Sequence, residues 1–433
     1  MASLAQSTKV IESQEEKPPN MFGFLLKKLG HDTTSGQIMP GIDGLRALAV
    51  AWVMVFHIYG FGANSPNITI LGLFDIDPWL SSGYLSVTLF FALSGFLLMI
   101  PWAKNNHANL NSPALAKYFR RRFYRIAPAY YVQILILFLI LAPIALPSWH
   151  PFSPLGIFTI FSHLTLTHYL FPMTSAGLGI NGALWTLTIE ACFYIVLPFV
   201  ARFFLGRCAL LYLIVSLLIA EIWRFFSFHA LYDFLVWVTI TLFPQIASYS
   251  YNPIVMKSFL ANQLPGHAFN FAIGMYLAGL YFDLTKQQKK IFENRSGGML
   301  TTTFVFILAL LAWFLTKPEI LEVWRLYVLF IPVAFVCALL VFLSSFPNYF
   351  SIRILGAPPV RVLGIISYSV YLWHFPIVYF ATTHWVPTGI VGAAKFYFLL
   401  VTCIPPTILI GYFSYRYIEL PFLNLAKESY APA

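Results

Sequence analysis

Arg46, His57 and Glu190 stand within or at the edge of apolar stretches, where a chain of this kind has little reason to keep a charge. An ionisable group at mid-bilayer costs about 2.5 to 3.5 kcal/mol on insertion scales, so each is a candidate for function. An imidazole takes and returns a proton near neutral pH, a carboxylate orients it and stabilises its protonated form, and a guanidinium fork grips phosphate oxygens. Arg46 and His57 are eleven residues apart, which on a helix is about 16 Å of axial rise. That reach matches an extended phosphopantetheine arm. The set therefore suits a coenzyme A thioester whose phosphates lie near Arg46 and whose acyl carbon is delivered near His57.

Further basic residues support the same reading. The run Arg120-Arg121-Arg122-Phe123-Tyr124-Arg125-Ile126-Ala127-Pro128 precedes the third apolar segment and offers more phosphate ligands, Arg122 and Arg125 among them; a basic loop at this place is also an ordinary topology signal. Glu190 lies about 10 Å inward from the non-cytoplasmic end of its helix and His57 about 7 Å inward from the same face, so the two are expected to meet, with Glu190 orienting His57. The competing readings are a Glu190 that pairs with an arginine to hold helices together, and a His57 that is simply a hydrogen-bonded core histidine. His374, at comparable depth, is expected to pack or gate, because Pro376 frees a backbone carbonyl that it could satisfy. Glu419 is expected to pair locally with Arg416 in a structural role. No metal site is expected: His163 and His168 lie five apart without an acidic neighbour. Neither a G-x-S-x-G elbow nor a P-loop is present in the sequence.

The elements that must position these residues follow from composition. Of 433 residues, 59% are hydrophobic and 10% charged, against roughly 25% charged in soluble domains. The fold class expected is an all-α polytopic membrane protein. A span takes about 20 apolar residues, and about ten are expected, near residues 44–62, 84–101, 127–146, 183–201, 208–222, 268–284, 299–316, 326–345, 363–380 and 394–414. Lys and Arg collect at one end of these segments, leaving Arg224, Lys257, Lys317, Arg325 and Lys395 for the other; the positive-inside rule then puts both termini in the cytoplasm. The net charge of +10 is a topology signal rather than a nucleic-acid stripe. Residues 152–170 and 231–248 are expected as interfacial or re-entrant segments on the periplasmic side. The domains are a polar cytoplasmic tail (1–39), a transmembrane domain (40–423) and a cytoplasmic C-terminal tail (424–433). The tail lacks an apolar h-region, so no cleaved signal peptide is expected. The four cysteines all fall in apolar segments, at spacings that fit neither zinc nor a disulfide framework.

Several of these stretches resemble the membrane-bound acyltransferase family 3, which includes bacterial O-acetyltransferases of surface glycans. The likeness runs from about residue 40 to about residue 422. Gly41-Ile42-Asp43-Gly44-Leu45-Arg46 followed by His57 is similar to the family's Arg-x10-His opening. Phe90-Phe91-Ala92-Leu93-Ser94-Gly95-Phe96-Leu97 resembles the second-helix motif, and Arg121 to Pro128 the arginine motif that follows it. Trp185 to Tyr194 resembles Trp-Ser-Leu-x-x-Glu-x-x-Phe-Tyr, with Thr186 and Thr188 at hydroxyl positions. Thr88 stands where many members carry Asp, and Leu264 to Phe271 is an imperfect version of the motif before the sixth helix; these departures bear on the acceptor.

The resemblance implies acyl transfer, usually of acetyl, from cytoplasmic acyl-CoA to a hydroxyl of a surface polysaccharide or lipid-linked glycan such as lipopolysaccharide O-antigen. His57 and Glu190 are the expected catalytic residues and Arg46, Arg122 and Arg125 the expected acetyl-CoA ligands. Trp185, Tyr194 and His374 are expected to face substrate. The expected place is the bacterial inner membrane, with no nucleic-acid partner. Some members carry a fused esterase-like domain, for which this chain has no residues to spare, so the acceptor is expected to meet the membrane domain directly. The rival classes are a proton-coupled transporter or lipid exporter, disfavoured by the lack of an internal repeat, and a non-catalytic interaction protein.

Overall fold

The structure, a computed structural model, describes residues 25–26, 29, 39–70, 73–147, 149–175, 179–242, 253–316 and 329–428. Most of the expected N-terminal tail, residues 429–433 of the C-terminal tail, and the parts of expected segments at 243–248 and 326–328 lie outside these residues. The described chain is almost wholly helical, apart from a two-residue antiparallel pairing of Thr69–Ile70 with Phe74–Asp75. Lipid offers a backbone no hydrogen-bond partners, so apolar segments close their own N–H and C=O groups as helices.

Eleven helices carry the architecture: α1 (Pro40–His57), α2 (Leu85–His107), α3 (Leu115–Ile136), α4 (Trp185–Val200), α5 (Ala209–Phe228), α6 (Ala268–Asp283), α7 (Arg295–Leu315), α8 (Phe330–Ser344), α9 (Pro358–Ile365), α10 (Ser367–Phe380) and α11 (Gly392–Ser414). Among the described residues seven helices are long and apolar enough to cross a membrane, or eight if the bent pair formed by α9 and the helix through Trp385 is one span. The ten expected spans thus include two helices, α6 and α8, of only 16 and 15 residues. Both are packed inside the bundle, where a helix need not match the thickness of lipid. The ninth segment, expected near 363–380, holds α10 and the last residues of α9, and the chain bends by 73° between the two helices. The segment expected at 152–170 holds a short helix, Pro154–Leu164, and the one expected at 231–248 holds the helix Ala230–Leu242.

The arginine run was expected in a loop ahead of the third helix. It lies inside α3, which begins at Leu115 and carries Pro128 within it. Arg is a good helix former, and a membrane helix tolerates Pro where neighbours satisfy the freed carbonyl. This registers Arg122 and Arg125, three apart, on one face.

Small residues set the packing. A Cβ on Gly95 of α2 would sit on the carbonyl oxygen of Phe271 of α6, and one on Gly274 of α6 on that of Ala92 of α2. Backbones that close let helices pack tightly without a hydrophobic drive between them. α2, α4 and α6 all start at one end of the bundle, with Trp185 facing His267, and Phe204 beyond α4 facing Gly279 at the other. α1 runs the opposite way, joined to α9 by an Asp43–Arg361 ion pair at 3.4 Å and, farther along, to α10 by His57 and His374. Tyr415 donates to the Leu29 carbonyl at 3.1 Å, so the two ends of the described chain meet at the Arg46 end. Outward faces, such as Leu218, Ile219 and Ile222 of α5, are exposed and apolar, as lipid contact requires.

Candidate active site

A cavity opens between α1, α2, α3, α4 and α10, with Arg46, Arg122, Arg125, Glu190 and Tyr194 in its wall. Each comes from a different register of the sequence: Arg46 from the second turn of α1, Arg122 and Arg125 from the shared face of α3, Glu190 and Tyr194 from an i, i+4 pair on α4. Glu190 Oε1 accepts from Tyr194 at 2.6 Å and from Ser94 of α2 at 3.1 Å. The Arg122 guanidinium lies over the Tyr194 ring and that of Arg125 over the Tyr368 ring, each 5.8 Å from the centroid. Three guanidiniums around one lining carboxylate make the cavity attractive to an anion.

Arg125 is also anchored from behind. Its Nη1 lies 3.3 Å from Glu419 Oε2, and Glu419, fully buried, accepts from Ser369 through its other oxygen. The expected local pairing of Glu419 with Arg416 gives way to this long-range ion pair. The helical turn Tyr415–Glu419, wound wider than an α-helix, precedes it.

His57 and His374 form a pair, with His57 Nδ1 2.9 Å from His374 Nε2. The bonding order follows from one carbonyl. His374 Nδ1 is 2.6 Å from the Tyr371 oxygen, which can only accept, so this nitrogen carries the proton. His374 Nε2 is then the acceptor, and His57 Nδ1–H the donor, which leaves His57 Nε2 as a bare lone pair. The carbonyl freed by Pro376 is that of Leu372, four residues earlier, and Asn181 donates to it at 3.1 Å. His374 therefore does not satisfy the freed carbonyl, as the sequence suggested; it bonds the neighbouring one and faces His57.

The expected contact between Glu190 and His57 is absent: Glu190 bonds Ser94 and Tyr194, and His57 bonds His374. Depth along a helix was readable from residue counts, but rotation about the axis was not. Tyr371 links the two groups. It lines the arginine cavity, donates its hydroxyl to the Ala183 carbonyl at 2.8 Å, receives Thr186 of α4 at 2.8 Å, and offers its own carbonyl to His374. Neither His57 nor His374 is in the cavity wall itself; they lie one layer beyond Tyr371.

Trp185 parts company with Tyr194: its ring faces His267 and Tyr169, outside the cavity that holds Arg46, Arg122 and Arg125. Ser94, Tyr368, Tyr371 and Glu419 were not singled out for the site by sequence. Ser94 alone carried a usable signal, its place in the second-helix motif. His163 and His168 stack at 4.2 Å, with Thr188 3.3 Å from His168, and no group of metal-holding side chains occurs among the described residues.

Comparison with known proteins bears on this arrangement. The chain is 25% identical over 415 residues to the peptidoglycan O-acetyltransferase OatA of Listeria monocytogenes, covering 91% of this chain and 58% of that one. It is 24% identical over 409 residues to the O-acetyltransferase OatA of Staphylococcus aureus, covering 92% of this chain and 59% of that one. The chain thus spans less than two thirds of the length of these relatives. No solved structure matches it. The family model described as an acyltransferase domain, of family 3, matches residues 39–415, which include every residue of the cavity and both histidines, and the chain therefore belongs to that acyltransferase family.

Proposed function

We propose that the chain is a multi-pass O-acetyltransferase of the bacterial cytoplasmic membrane, taking an acetyl group from acyl-CoA on the cytoplasmic side and passing it to a hydroxyl of a cell-envelope glycan on the other. The observation that carries this is the bare Nε2 of His57, set by its bond to His374, beyond a cavity rich in arginine. The basic Arg46 end, where both ends of the described chain meet, is the cytoplasmic one on this reading.

Arg46, Arg122 and Arg125 would hold the phosphates, and the cavity would guide the pantetheine arm past Glu190 and Tyr371 toward His57. The acceptor hydroxyl gives its proton to His57 Nε2 as its oxygen bonds the acyl carbon. The carbon–sulfur bond breaks, and the thiolate takes that proton from the imidazolium. His374, with its own proton fixed on the Tyr371 carbonyl, accepts from His57 Nδ1–H and favours the positive ring that forms. Glu190 holds Ser94 and Tyr194 in the wall and balances one guanidinium. As the relative from Listeria monocytogenes is a peptidoglycan O-acetyltransferase, a peptidoglycan-type saccharide is the first acceptor to test, ahead of lipopolysaccharide O-antigen.

The test is reconstituted protein with labelled acetyl-CoA, and mass spectrometry of envelope glycans from cells with and without the gene. His57→Ala should insert and fold yet lose ester formation by at least about 10²-fold, the lower range for a general base. Wild-type rates in that variant would overturn the assignment.

A further inference from the structure

A second cavity, of about 250 Å³ against about 120 Å³ for the arginine cavity, opens at the opposite end of the bundle from Arg46. Its wall is built from helix ends: Tyr84 and Thr88 at the start of α2, Trp185 at the start of α4, His267 just before α6, Phe330 at the start of α8, and Arg224 near the end of α5. Val87 lines both cavities, and the neighbours Trp185 and Thr186 face one cavity each, so a single layer of side chains divides them. The second cavity also approaches the histidine pair, because Tyr84 packs edge-on against Phe56 at 6.2 Å and Phe56 lies 5.1 Å from the His57 ring.

The lining has two kinds of group. Trp185, Tyr84 and Phe330 present aromatic surface, and Arg224 is held in place by the Gly266 carbonyl at 3.0 Å with its guanidinium 3.3 Å from the Phe330 ring centroid. His267 is buried; its Nδ1 faces the Asn270 amide nitrogen at 3.2 Å, which makes Nδ1 the acceptor and Nε2 the N–H. That Nε2 has no partner among the described residues. An orphaned buried donor costs about 1 to 3 kcal/mol, so its persistence asks for a ligand acceptor. A lipid chain would cover the aromatic rings but leave the His267 N–H without an acceptor. A pyranose ring answers both, with C–H faces for the rings and hydroxyl oxygens for the N–H donors.

We propose that this second cavity is the acceptor subsite, holding one saccharide ring against Trp185 with hydroxyl or acetamido oxygens on His267 and Arg224, at the edge of the histidine pair. The inference rests on the transferase reading above for the word acceptor, but not for the binding itself. It also gives a place to Thr88 and the segment before α6, the two departures from the family pattern, since both line this cavity.

The experiment is calorimetry on full-length protein in nanodiscs, without acyl donor, against chitotetraose, maltotetraose and cellotetraose. At least one should bind, and His267→Leu and Trp185→Ala should each weaken it tenfold or more. His267→Gln, which keeps an N–H donor, should recover part of the loss, and Glu190→Gln, in the other cavity, should leave the affinity unchanged. If no saccharide binds the wild type, if only phospholipid or inorganic phosphate does, or if Glu190→Gln weakens binding as much as His267→Leu, the subsite is overturned. In the transfer assay His267→Leu and Trp185→Ala should raise the saccharide KM tenfold and leave the acetyl-CoA KM unmoved; unchanged saccharide KM overturns the subsite too. Binding with the expected variant pattern but no acetyl transfer by the wild type would instead overturn the transferase reading and leave the saccharide site standing.

Discussion

At the scale of single residues, the site is a matter of which atom carries which proton. The Tyr371 carbonyl orders the His374 ring, and His374 orders His57. His374→Phe keeps the bulk and removes the acceptor, so kcat should fall by about 10²-fold while both KM values stay close to wild type; steady-state kinetics on protein of unchanged Tm would check it, and a wild-type kcat would leave the pair without a role. Arg125 tests a second point. Removing it leaves the buried Glu419 carboxylate without its ion-pair partner, which typically costs about 3 to 5 kcal/mol. Arg125→Ala should therefore lower the detergent-solubilised Tm as well as raise the acetyl-CoA KM. In Arg125→Ala/Glu419→Gln the Tm should largely return while the KM stays high, separating anchoring from phosphate binding.

At the scale of elements, α2 and α6 touch along a glycine seam, and the arginine cavity lies on another side of α2, between it and α1, α3, α4 and α10. Gly95→Ala would press a methyl group onto the Phe271 carbonyl and cost about 1 to 3 kcal/mol by overpacking. Gly60→Ala, where an added Cβ meets nothing within 4 Å, should be silent. Thermal melts of the two in one detergent would show the contrast, and equal melts would mean the seam yields freely. The bend between α9 and α10 belongs here too. It brings Asp43 and Arg361 together at one level and still lets α10 run beside α1 to the histidine pair.

At the scale of the whole molecule, one end is basic and carries the arginine cavity, and the other is aromatic and carries the second cavity. Cys208, exposed at the start of α5 on the Arg46 side, reports the orientation directly. A membrane-impermeant maleimide should label it in inverted vesicles and not in intact cells with a permeabilised outer layer; labelling from outside would reverse the topology. The sequence by itself determined the class of fold and which charged residues stand in or beside its apolar segments, with their spacing along each helix, because apolar length and helical rise are properties of a chain in one dimension. Arg46, Arg122, Arg125, Glu190 and Tyr194 were legible in this way. What only the tertiary structure decided is which helix faces meet. It exchanged Glu190 for His374 as the partner of His57, joined Glu419 to Arg125 across nearly three hundred residues, and turned Trp185 toward a different cavity. The reason is that side-chain partners depend on the rotation and crossing of helices, which backbone contacts such as those at Gly95 and Gly274 set from far along the chain.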